Sequence, residues 1–133
     1  MYIVNDIEHL INLVKLKMLD LSSEMFVTSR LKRFDYGHRT LRQLDTYHQI
    51  KQLHIDELDL FEHWRAGRSR QLTDGDLSTI YIAMKNPKLT ILLSKEDLFI
   101  PTVCDQCSVR YRKWDEVIKE IGNKERIQYY EYI

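Results

Sequence analysis

Apolar residues recur along this chain in two rhythms that alternate with one another. The short run YIVN at residues 2–5 is closed by Asp6; beyond it apolar positions fall at Ile7, Leu10, Ile11, Val14 and Met18, with Glu8, Asn12 and Lys15 between them. A spacing of three and four residues collects the second set on one helical face, while a short continuous apolar run fits a strand buried in a parallel sheet. The alternation repeats. MFVT at residues 25–28 predicts a second strand; helical stretches carrying Leu31 and Phe34, then Leu41, Leu44, Tyr47 and His48, follow on either side of the Tyr36-Gly37 interruption.

Farther on, LHIDEL at residues 53–58 alternates apolar and polar positions and reads as a short strand, while residues 57–66 read equally as helix. Residues 71–85, QLTDGDLSTIYIAMK, place Leu77, Ile80, Tyr81 and Met84 on one helical side, and Asn86-Pro87 ends that helix. LTILLS at 89–94 is the clearest strand. A helix after Lys95, a short strand at Val109–Tyr111 and a helix from Trp114 to Ile121 complete the series. Strands alternating with helices predict an α/β fold: a three-layer α/β/α sandwich around a mainly parallel sheet, in one domain spanning residues 1–133.

Composition narrows the partners. The 133 residues are 44% hydrophobic and 30% charged, in the range of soluble globular chains. Twenty basic and twenty acidic residues cancel, so no global positive field announces a nucleic-acid binder. Basic clusters remain at Arg30, Lys32 and Arg33, at Arg65, Arg68 and Arg70, and at Arg110, Arg112 and Lys113; each reads as a solvated face or as a local phosphate contact. No apolar run approaches membrane-spanning length, which leads to the expectation of a cytoplasmic protein with no membrane partner. Cys104 and Cys107 form a single C-x-x-C with no second pair to complete a zinc site, and read as two ordinary, partly buried thiols. The aromatic C-terminal IQYYEYI, residues 127–133, is expected to pack within the chain, covering the core or adding an edge strand, in preference to forming a partner surface.

Open parallel sheets bind ligands beyond the carboxyl ends of their strands. Asp6 follows the first predicted strand, Glu96 and Asp97 follow LTILLS, and Asp76 lies in the first turn of its helix, within reach of the same edge. Carboxylates gathered there repel unless protonated or bridged by a cation, and a hard ion such as Mg2+ or Mn2+ prefers oxygen ligands. Thr73 or Asp74 can cap this helix by type; in the metal-binding arrangement Asp74 caps it and Asp76 binds metal. Each acid also has a plain structural reading: Asp6 as a helix cap, Asp76, Glu96 and Asp97 as acidic first turns that favour the helix dipole.

These stretches resemble the PIN-domain family. IVNDIEHLINLVKLKMLDL is similar to that family's opening strand, aspartate and leucine-rich helix; LTDGDLSTIYIAMK resembles its later helix, with Ser78 to Ala83 matching a Ser-x-x-x-x-Ala pattern; TILLSKEDL resembles the strand and acidic turn that follow. The resemblance implies a Mg2+- or Mn2+-dependent ribonuclease with Asp6, Asp76 and Glu96 or Asp97 as catalytic and metal-binding acids. The family's second acid would fall near Phe34, with Asp35 beside it as a stand-in metal ligand, although one helical residue turns about 100°. Glu8 stands where the family often has a small polar residue. Arg30, Lys32 and Arg33 would guide RNA. Further implied partners are an antitoxin-like protein, the chain then being toxin-like, and a second copy in a homodimer. The alternative is a PIN-like binding or scaffold module that has lost catalysis.

Overall fold

A computed structural model describes residues 1–19, 25–30, 42–44, 46–47, 50–68, 72–93 and 98–132. Its centre is a five-stranded sheet of β1 (Tyr2–Val4), β2 (Met25–Thr28), β3 (Ile50–Leu53), β4 (Thr90–Leu93) and β5 (Tyr111–Lys113). They are ordered β3-β2-β1-β4-β5, and every pairing is parallel. Between and after them run α1 (Ile7–Lys15), α2 (Leu58–Arg65), α3 (Asp74–Lys85), α4 (Phe99–Cys107), α5 (Trp114–Ile121) and a final 3-10 segment, Ile127–Tyr132. The chain is thus an α/β protein with helices on both faces of a parallel sheet.

Strand periodicity explains the layers. Successive side chains point to opposite faces, so Val4, Met25, Val27 and Leu92 pack with α1 and α5, while Ile3, Ile91 and Leu93 pack with α3 and α4. Both faces are apolar because both are covered. A smaller cluster, Phe61, Leu77 and Tyr81, fastens α2 onto the outside of α3. α3 is consequently buried on nearly every side from Leu77 to Ala83, and its residues lack the one-sided apolar stripe seen in α1.

Several expected elements are displaced. The third strand is Ile50–Leu53 and not the alternating 53–58 stretch, because its register is set by pairing with β2, Met25 to Ile50 and Thr28 to Leu53. The ambiguous residues 57–66 are helical, as α2. β5 begins at Tyr111, later than the Val109 expected. Val109 instead donates its N–H to the Cys104 carbonyl, closing α4 through Ser108, whose φ of 56° is left-handed. α1 also stops earlier than its apolar pattern, since Lys17 turns the chain at φ 59°, yet Met18 remains buried. Residues 42–44 and 46 are helical, whereas the helix predicted around Leu31 and Phe34 lies outside the described residues.

Because all five strands are parallel, their carboxyl ends share one edge. β1 at the centre is flanked by β2 on one side and β4 on the other, so the connections leaving β1 and β4 diverge there. That divergence creates a crevice in open α/β sheets.

Candidate functional site at the carboxyl edge of the sheet

Asp6 leaves β1 at this edge and begins α1. Its backbone is extended (φ −99°, ψ 96°), and Oδ1 accepts the His9 N–H at 3.1 Å, satisfying one of the free donors of the first turn. Oδ2 makes no hydrogen bond among the described residues. Capping and metal binding are compatible for this carboxylate, since each needs one oxygen.

The start of α3 is built differently. Thr73 is the N-cap and not Asp74: its hydroxyl accepts the Asp76 N–H at 3.1 Å, and Asp76 Oδ2 accepts the Thr73 N–H at 3.2 Å. This reciprocal capping box satisfies two orphan donors at once. Threonine takes the cap because Asp74, one position later, faces two guanidiniums. Asp74 Oδ2 accepts from Arg30 Nε at 2.5 Å, while Oδ1 accepts from Arg30 Nη2 at 3.2 Å and Arg65 Nη1 at 2.5 Å. Of the two caps that the sequence offers, Thr73 takes the role, and the expectation that Asp74 caps is corrected. The Asp74 carboxylate links the turn after β2 to α2 and α3.

The first turn of α3 rests on the end of β2. Ser78, fully buried, hydrogen-bonds the Thr28 hydroxyl at 3.0 Å and the Gly75 carbonyl at 2.9 Å. Asp76 is thereby carried at the same sheet edge as the end of β2, one strand away from β1. Among the described residues no three His, Cys, Asp or Glu side chains converge as a metal-holding group. Glu96, Asp97, Asp35, Lys32 and Arg33 lie outside the described residues. Arg30, expected to guide RNA, is engaged by Asp74, with Glu62 Oε1 3.8 Å from its Nη2.

Sequence reasoning passed over two groups at this edge. The first is Glu62, one turn before Arg65 on α2, whose Oε2 accepts from Arg65 Nε at 2.7 Å. The second is a ring cluster on the α1 and α5 side. His9 Nε2 lies 2.9 Å from the Tyr130 hydroxyl, and its ring meets Trp114 and Tyr130 edge-on at 5.5 and 5.7 Å. Burial pushes the His9 pKa below the ordinary histidine value, against the opposing pull of Asp6 and Asp115. Burial and then the Asp115 carboxylate raise that of the Tyr130 phenol. The spacing of Arg65 after Glu62 is a readable helical ion pair; nothing in the sequence connects His9 to a residue 121 positions away.

Of the two cysteines expected to be partly buried, Cys107 is half-buried and Cys104 is fully buried on α4. The C-terminal segment packs within the chain, with Ile127 and Tyr130 against the α1 and α5 layer. No helix among the described residues is long and apolar enough to cross a membrane. No family model, curated protein or solved structure matches the chain.

Proposed function

We propose that the carboxyl edge around β1 is a divalent-metal site for hydrolysis of RNA phosphodiesters, with Asp6, Asp76 and Glu96 or Asp97 as its acids. The observation that carries this reading is the strand order: Asp6 emerges from the central strand at the point where the connections diverge, and the chain leaving the adjacent β4 carries Glu96 and Asp97. The donor set suits a hard cation, being carboxylate oxygens alone. One oxygen of Asp6 and one of Asp76 serve helix starts, and Oδ2 of Asp6 and Oδ1 of Asp76 make no hydrogen bond among the described residues. A bound Mg2+ or Mn2+ supplies a more acidic water and neutralises charge on the phosphate. The chain's own contribution is to hold the acids on helix starts fixed by caps. The same reading takes RNA as partner in the cytoplasm, with a restraining antitoxin-like protein or a second copy of the chain as further associates.

A second reading, a PIN-like binding or scaffold module without catalysis, is favoured by the capping box itself. A carboxylate already engaged by the Thr73 N–H has less freedom to turn toward a metal.

The two separate in one experiment. Cleavage of single-stranded and structured RNA is measured with Mn2+ for the native chain, Asp6→Asn and Asp76→Asn, and melting temperature is recorded with and without metal. The nuclease reading expects each variant to lose at least about a hundredfold in rate, several kcal/mol of metal-borne stabilisation being removed, and expects metal to raise the native melting temperature by mass action. Equal cleavage by all three proteins rejects the assignment. No cleavage and no metal-induced shift supports the module.

A further inference from the structure

Glu62 holds a position that is informative about what Arg30 and Arg65 can bind. Its two oxygens address two different guanidiniums: Oε2 accepts from Arg65 Nε at 2.7 Å, and Oε1 stands 3.8 Å from Arg30 Nη2. Its side chain is 47% exposed, whereas Asp74, on the inner side of the same two arginines, is 12% exposed. The inner carboxylate anchors the pair. The outer one lies in solvent, where an exposed ion pair is worth little and exchanges readily.

The guanidiniums are oriented before any ligand arrives. Both lie over the ring of the fully buried Phe61, at 5.1 Å for Arg30 and 5.8 Å for Arg65. Asp74 Oδ1 accepts from both, which keeps two like charges side by side. Each also retains unused donors, since Arg30 Nη1 and Arg65 Nη2 meet no acceptor among the described residues. A planar carboxylate with one oxygen per guanidinium leaves those donors idle. A tetrahedral oxyanion offers three or four oxygens to the same fork and matches it better.

We propose that Arg30 and Arg65 form a phosphate-binding pair whose outer position Glu62 fills as an internal stand-in, and that the phosphate is one of an RNA backbone. The pair sits beside the end of β2 and the start of α3, one strand from β1, so a strand held there runs along the same sheet edge as Asp6. The choice of RNA as the source of the phosphate rests on the nuclease reading; the oxyanion chemistry does not.

Binding is measured in EDTA, which separates this inference from cleavage. Fluorescence anisotropy of a labelled single-stranded RNA is followed for the native chain, Glu62→Gln, Arg65→Gln and, as a charge control, Glu120→Gln. Glu120 pairs with Arg112 at 2.7 Å, away from this pair. Glu62→Gln is expected to tighten binding about threefold, and Arg65→Gln to weaken it about tenfold with a salt slope shallower by about 0.7. Glu120→Gln is expected to match the native chain. Inorganic phosphate, scored by thermal shift, tests the source: an Arg65-dependent shift without RNA binding keeps the oxyanion site and removes RNA. Should Arg65→Gln fail to fold, the exposed Glu62 substitution decides alone. Wild-type affinity of Glu62→Gln for RNA and for phosphate overturns the proposal, as does an equal gain in Glu120→Gln. A chain that binds in this manner but never cleaves leaves it standing and defeats only the nuclease reading.

Discussion

The two flanks of the carboxyl edge are held together by opposite means. On the β2 side, Arg30, Arg65, Glu62 and Asp74 tie a loop and two helices by charge over the Phe61 ring. On the α1 and α5 side, His9, Trp114 and Tyr130 meet through ring edges and one 2.9 Å hydrogen bond. Charge-built and ring-built contacts respond to different variables. The first depends on its inner carboxylate, because removing Asp74 strands two guanidiniums in a partly dry place; the second depends on packing and on the protonation of a single imidazole.

The largest break is expected from Asp74→Ala. It leaves two guanidiniums, 19% and 35% exposed, without their shared inner partner, and is expected to cost about 2–4 kcal/mol in urea denaturation. A loss no greater than that of an ordinary surface substitution would show the network to be ornamental. On the ring-built flank the corresponding break is Gly122→Ala. A Cβ there would collide with the Ile127 side chain and the Ile118 carbonyl at the corner that returns the C-terminal segment over the core. Overpacking of this kind is expected to cost about 1–3 kcal/mol. Hydrogen exchange should show the loss spread over residues 127–132 and α1, and an unaltered exchange pattern would refute the packing role.

The smallest effect is a dependence on pH. Burial holds the folded-state pKa of His9 below 6.5, so the unfolded chain takes up the proton first. Stability from this group is complete above the ordinary histidine value and is lost as pH falls from there through the folded value. The native chain should therefore melt at a lower temperature at pH 5.5 than at pH 7.5, and His9→Gln should reduce that difference. Identical differences in the two proteins would assign the acid sensitivity to carboxylates elsewhere.

What periodicity made legible were the elements that bury themselves by their own pattern. Strands at 2–5, 25–28 and 89–94 and helices from Ile7, from Asp74 and from Trp114 all begin where apolar spacing puts them, to within a residue or two, although α1 ends at Lys15, three residues short of Met18. β3 and β5 were misplaced because an edge strand of three or four residues is chosen by its neighbour's register and by how the preceding helix closes. At the start of α3 the candidate caps were legible by type and not in their roles. Thr73, Asp74 and Asp76 are all competent caps by type, and only the approach of Arg30 and Arg65 from other elements draws Asp74 out of that task.

The sequence by itself determined the alternation of strand and helix, the burial of both sheet faces and the presence of acids after strands and at helix starts, because these follow from spacing along one chain. Tertiary structure alone decided which carboxylate caps, which is neutralised, and that His9 meets Tyr130. Those outcomes turn on side chains separated by 44 and 121 residues. Hydrogen bonds and ion pairs act over a few ångströms, and only the folded sheet brings such distant positions within that range.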